Sequence, residues 1–247
     1  MMQRVLALVK MELLKLIREP ANLFMNLLFP AILTLVFGLA FGSIGGADPP
    51  LFDIMAPGLF AYACIFIIMT VSMSFTDDRE NGLLKRINVT PTTSTQFIGS
   101  HIITNLLIAA IQLTIVFLLS LLMGYRPNVD AFGVIMAFIF MLFLSLCSVG
   151  LGLITATIAK SAGAASGLSF IFILPQMFFG TFIILPEGIR VISAFLPSYY
   201  VTDALTAIFD GVSPFTSEIL MQLGIIALMG IVIVILGIFL FKKYGKA

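Results

Sequence analysis

The chain has 247 residues, 60 % of them hydrophobic and only 10 % charged, with a formal net charge of +1. Soluble domains carry about 25 % charged residues, so this balance, with a mean hydropathy of +1.16, excludes an ordinary soluble enzyme or nucleic-acid-binding module. No Lys or Arg occurs between Glu19 and Asp77 or between Arg86 and Arg126. Apolar gaps of that length read as membrane spans, and the chain as one all-α, multi-pass membrane domain over 1–247.

The first 20 residues predict an interfacial helix. Val5, Leu6, Val9, Leu13, Leu16 and Ile17 form an apolar stripe, with Arg4, Lys10, Lys15 and Arg18 on the other side. That pattern suits the headgroup plane. It does not suit a span, because each cation would cost roughly 2.5–3.5 kcal/mol at the bilayer centre. Nor does the segment have the h-region and cleavage site of a signal peptide. Six spans follow, at 22–42, 53–75, 97–123, 130–158, 164–183 and 219–241. The stretch 184–210 holds apolar residues together with Pro186, Glu187, Arg190, Pro197 and Asp203. It is expected to form extracytoplasmic helices that dip against protein rather than cross lipid.

Six spans put both termini on one side. Arg4, Lys10, Lys15, Arg18, Arg79, Lys85, Arg86, Lys160, Lys242, Lys243 and Lys246 then share that face, against Arg126 and Arg190 on the other. The positive-inside rule makes the shared face cytoplasmic, so the expected location is the cell membrane, with both termini in the cytoplasm.

Between the second and third spans stands TDDRENGLLKRINVTPTT, Thr76 to Thr93. Asp77 and Glu80 have the spacing of a helix start, Lys85 and Arg86 match the negative end of a helix dipole, and Pro91 forbids continuation. A short helix over 77–89 is expected, with Leu83, Leu84 and Ile87 along one edge. Three large apolar side chains beside the membrane need a surface, either lipid headgroups or a partner protein.

Here the chain resembles the ABC-2 type permeases. Arg79, Glu80, Gly82, Leu84, Lys85, Arg86, Thr90 and Pro91 match that family's cytoplasmic motif, with Leu83 where Thr is common. Pro186, Pro197, Tyr200, Asp203, Ala204, Leu205 and Gly211 match its extracytoplasmic motif, with Thr206 where Arg is usual. The resemblance implies a transmembrane subunit of an ABC exporter. Residues 1–20 would be the elbow helix and 77–89 the coupling helix. Arg79, Glu80, Gly82, Leu83, Leu84, Lys85, Arg86 and Ile87 would contact an ATPase subunit. It also implies a second permease, either an identical copy or a paralogue, in contact through spans one and five. No G-x-x-x-x-G-K-[ST] occurs, so ATP and magnesium would belong to a separate chain.

Other candidates are bland. Cys64 and Cys147 fall inside apolar runs without metal-ligand spacing, and no metal site or catalytic residue is expected. His101, near the cytoplasmic edge of span three, reads as structural. Gly163 and Gly167 form a G-x-x-x-G for close helix packing, within or between subunits. Pro30, Pro57 and Pro175 lie inside spans, as flex points or static kinks. Asn26, Asn105, Gln112, Ser145, Ser148, Thr155 and Gln176 are polar at depth, and none is ionisable. A lining of Phe, Met, Leu and small polar groups suits a hydrophobic or amphipathic cargo such as a drug, lipid or peptide. The competing class, a secondary multidrug transporter working without an ATPase, would want an intramembrane charge.

Overall fold

A computed structural model describes residues 2–18, 24–42, 50–83, 94–182 and 190–244. The first helix, α1 (Met2–Arg18), is followed by a π-helical turn at Phe24–Leu28 and by α2 (Phe29–Phe41). Next come α3 (Leu51–Ile65) and α4 (Ile67–Glu80), parted only at Phe66, then α5 (Ser94–Leu122), α6 (Ala131–Ile158) and α7 (Ala162–Met177). A second π turn at Phe178–Phe182, two short helices α8 (Arg190–Ser193) and α9 (Pro197–Phe209), and α10 (Ser217–Tyr244) complete the order. No strand occurs among the described residues.

Among those residues, five helices are long and apolar enough to cross a membrane: Leu51–Glu80, Gln96–Leu122, Ala131–Ile158, Ala162–Gly180 and Ser217–Tyr244. The expected first span, 22–42, contributes the π turn and the 13 residues of α2. Both π turns lie beside a proline. Pro30 sits in the first turn of α2 and Pro175 near the end of α7, where a missing N–H disturbs the ladder. Pro57 lies inside α3, whose break comes instead at Phe66.

Local chemistry sets several ends. The Asp130 carboxylate accepts from Gly133 N at 2.7 Å and starts α6; Ser161 Oγ accepts from Ala164 N at 3.2 Å and starts α7. Gly82 (φ +67°) and Gly211 (φ +93°) end α4 and α9 in a conformation that a Cβ strains.

The α3–α4 span is the most deeply buried, packed between α5, α6, α7 and α9. Phe52, Phe60, Phe140, Leu144, Leu205 and Ile208 fill the core. Short helix α9 is driven into it: Phe209 rings against Phe60, Phe117 and Tyr125 at 5.8–6.2 Å. Some polar groups at depth bond back to their own helix, as Ser145 does to the Met141 carbonyl, and others bond across helices. Ser72 and Ser169 meet Oγ to Oγ at 2.6 Å, and Gln112 Nε2 donates to the Ala63 carbonyl at 2.8 Å. Lipid gives apolar side chains no reason to associate, so close backbone approach has to hold helices together. At α6–α10 it does. A Cβ on Gly150 would lie 2.9 Å from backbone atoms of Ile233 and Val234, and one on Gly237 would lie 2.7 Å from the Gly150 carbonyl oxygen.

The ends of the bundle are distinguishable. The Phe241 ring of α10 sits 5.2 Å from that of Phe75 in α4, next to the contact of α1 with α5. Lys10, Lys15, Arg18, Arg79, Lys242 and Lys243 therefore share one end, whereas Arg126 lies at the other, beside α9.

Candidate functional site

The charged segment of the second loop is built differently from the isolated helix its sequence suggests. Asp77, Asp78, Arg79 and Glu80 are the last turn of α4, continuous with the membrane-crossing helix, and not the first turn of a new one. The D-x-x-E spacing therefore caps nothing here. The helix stops at Asn81 and Gly82, with Asn81 N bonded to Asp77 O at 2.8 Å and Gly82 N to Arg79 O at 3.1 Å. Leu83 packs against the Phe75–Phe97 cluster. Leu84, Lys85, Arg86 and Ile87 lie outside the described residues.

Carboxylates at the negative end of a helix dipole are unfavourable, and Lys15 of α1 offsets this. Its Nζ lies 2.7 Å from Asp78 Oδ1 and 3.3 Å from Asp77 Oδ2. The two Asp side chains diverge around the helix, yet one long lysine stem reaches both. Burial alone would lower the Lys15 pKa, but Asp78, Glu12 and Asp77 together raise it, so the ammonium is firmly charged. On the far side of Asp78, His101 Nε2 of α5 lies 3.3 Å from Asp78 Oδ2 and 3.3 Å from Glu12 Oε1 of α1. Glu12 is 6 % exposed and His101 1 %. The apolar stripe of α1 is thereby divided: Val9 is buried beside Glu12, while Leu6 and Ile17 remain exposed.

The other two side chains of the turn reach into the chain's own α6–α7 link. Arg79 Nη1 donates to the Ala156 carbonyl at 3.2 Å and Nη2 to that of Ala159. Glu80 Oε2 accepts from Ala162 N at 3.0 Å. The guanidinium satisfies carbonyls at the end of α6, and the carboxylate an amide at the start of α7.

Of the other expected site residues, Pro197 opens α9 and is buried. The Tyr200 hydroxyl donates to the Ala194 carbonyl at 2.8 Å, and Asp203 Oδ2 accepts from Gln222 Nε2 at 2.6 Å. Pro186 lies outside the described residues. Gly163 and Gly167 have no atom within 4 Å of a would-be Cβ, so their G-x-x-x-G packs against nothing within this chain's described residues. Sequence reasoning missed the joint role of Glu12, Lys15, Asp78 and His101. They lie on three helices, and no local spacing signals them.

An all-helical bundle with apolar spans and a charged, internally braced end defines a multi-pass membrane protein. Residues 3–209 match the family model of the ABC-2 type transporter. That is most of the chain, and the chain belongs to this family, whose members are transmembrane permease components and not themselves catalytic. No curated protein matches it.

Proposed function

We propose that the chain is the transmembrane subunit of an ATP-driven exporter that moves a hydrophobic or amphipathic substrate across the cytoplasmic membrane. A separate ATPase subunit would supply nucleotide hydrolysis and hold ATP and magnesium. One observation carries the reading: the last turn of α4 is fastened on three sides, to α1 through Lys15, to the end of α6 through Arg79 and to the start of α7 through Glu80. A push on the segment just after it, 83–89, would not dissipate in a loop. It would reach spans two, four and five as one body. The gathering of cations at this end supports a cytoplasmic orientation. The open faces of Gly163 and Gly167 support contact of α7 with a second permease.

The test is reconstitution of the chain with its ATPase in proteoliposomes carrying a fluorescent amphiphile. Vanadate-sensitive, ATP-dependent transport supports the reading, and transport indifferent to ATP refutes it. The alternative of a secondary transporter gains one point from the buried Glu12, Asp78 and His101. It requires transport driven by a pH gradient alone.

A further inference from the structure

We propose that Glu12, Asp78 and His101 form a binding site for one divalent transition-metal ion, Zn²⁺ fitting best, that pins α1 to α4 and α5. The site does not depend on the transport reading.

The donors are one imidazole nitrogen and two carboxylate oxygens, a set that suits zinc better than magnesium or calcium. His101 Nε2 is 3.3 Å from Glu12 Oε1 and 3.3 Å from Asp78 Oδ2, and all three ligand atoms lie within 4.8 Å of one another. Tetrahedral coordination at about 2.0–2.1 Å places donors about 3.3–3.4 Å apart.

A second observation is independent of that spacing. Glu12 Oε1, Asp78 Oδ2 and His101 Nε2 are each buried and each without a hydrogen bond. The close contacts miss hydrogen-bond geometry, and buried polar atoms are rarely left so. The charges leave room for a cation as well. Glu12, Asp77 and Asp78 are three carboxylates around Lys15, whose ammonium makes its direct contacts with the two aspartates.

The surroundings orient the donors as outer-shell groups do. Lys15 holds Asp78 Oδ1 at 2.7 Å. Phe75 and Phe97 flank the imidazole with ring centroids at 4.3 and 4.5 Å. A cleft of about 630 Å³ lined by Lys10, Glu12, Lys15, Arg18 and Asp78 gives an entry path between α1 and the end of α4.

The experiment uses the full chain in lipid nanodiscs with any histidine tag removed, titrated with Zn²⁺ and, for its absorption spectrum, Co²⁺. The expected results are one ion per chain, a higher thermal midpoint with Zn²⁺ that EDTA reverses, ligand-field bands with Co²⁺, and no response to Mg²⁺. Glu12→Gln and His101→Gln should each weaken binding by at least about tenfold. If a variant does not fold, the wild-type stoichiometry, midpoint and cobalt spectrum decide. The proposal is overturned if the wild-type chain takes up neither ion, or if bound Zn²⁺ is indifferent to both substitutions.

Discussion

The carboxylate of Glu80, the last residue of α4, accepts a hydrogen bond from the backbone N–H of Ala162, the first residue of α7, at 3.0 Å. One side chain thus ties the end of the second span to the start of the fifth. Glu80→Ala leaves that amide without its cap and should cost about 0.5–2 kcal/mol, the range for losing an N-cap acceptor. Glu80→Gln keeps an acceptor oxygen and should retain most of the stability. Thermal midpoints of the purified variants check this; a midpoint unchanged in Glu80→Ala would show that the bond contributes nothing.

Arg79 reaches two carbonyls at once, those of Ala156 and Ala159. A planar fork can do this where a lysine ammonium on a flexible stem cannot hold both. Arg79→Lys should therefore behave nearly like Arg79→Ala despite the conserved charge. Both should lower the thermal midpoint and increase hydrogen exchange at the α6–α7 link. Exchange at wild-type rates in Arg79→Lys would mean that charge alone suffices.

Lys15→Met would leave Asp78, whose side chain is 3 % exposed, facing Glu12 without its cation. Removing one partner of a buried pair costs up to about 3–5 kcal/mol; with Lys15 itself 26 % exposed, the lower end is expected. Adding Asp78→Asn should recover part of the loss.

The same pair sets a pH dependence. Because the Lys15 pKa is raised on folding, its contribution is fully present below the ordinary lysine value of about 10.4. It is lost as pH rises through the higher folded value. The difference in midpoint between wild type and Lys15→Met should be present at neutral pH and be lost only well above a pH of about 10. A difference that already shrinks near neutrality would contradict the assignment.

Gly150 and Gly163 should respond differently to the same substitution. A Cβ on Gly150 meets the backbone of α10, so Gly150→Ala should destabilise by about 1–3 kcal/mol. Gly163→Ala meets nothing within 4 Å among the described residues and should leave the isolated permease unchanged. If α7 packs against a second permease, Gly163→Leu should abolish disulfide crosslinking between single cysteines introduced into α7 of each copy.

Much of the architecture is written in the order of charges and apolar runs. The Lys-free and Arg-free stretches mark spans, and the expected start of the fourth span at 130 is where Asp130 caps α6. The end of α4 shows why local signals fail. Asp77 and Glu80 carry the spacing of a helix start, yet the helix runs straight through them, because Lys15, more than sixty residues earlier, compensates carboxylates that would otherwise oppose the dipole. Arg79 and Glu80 read as contacts to an ATPase subunit, while their partners within the chain are backbone groups that no pattern of side chains can announce. His101 read as a lone structural histidine because Glu12 and Asp78 come to it only through the packing of three helices.

Under the proposed function, an external motor acts on this bundle at the segment following α4. Photo-crosslinkers placed singly at Leu84 and Ile87 in native membranes test it most directly, with products identified by mass spectrometry. Crosslinks to a protein carrying a Walker A motif, strengthened or shifted by nucleotide, are expected. Crosslinks only to lipid, or labelling of these positions by a membrane-impermeant reagent from outside the cell, would contradict it.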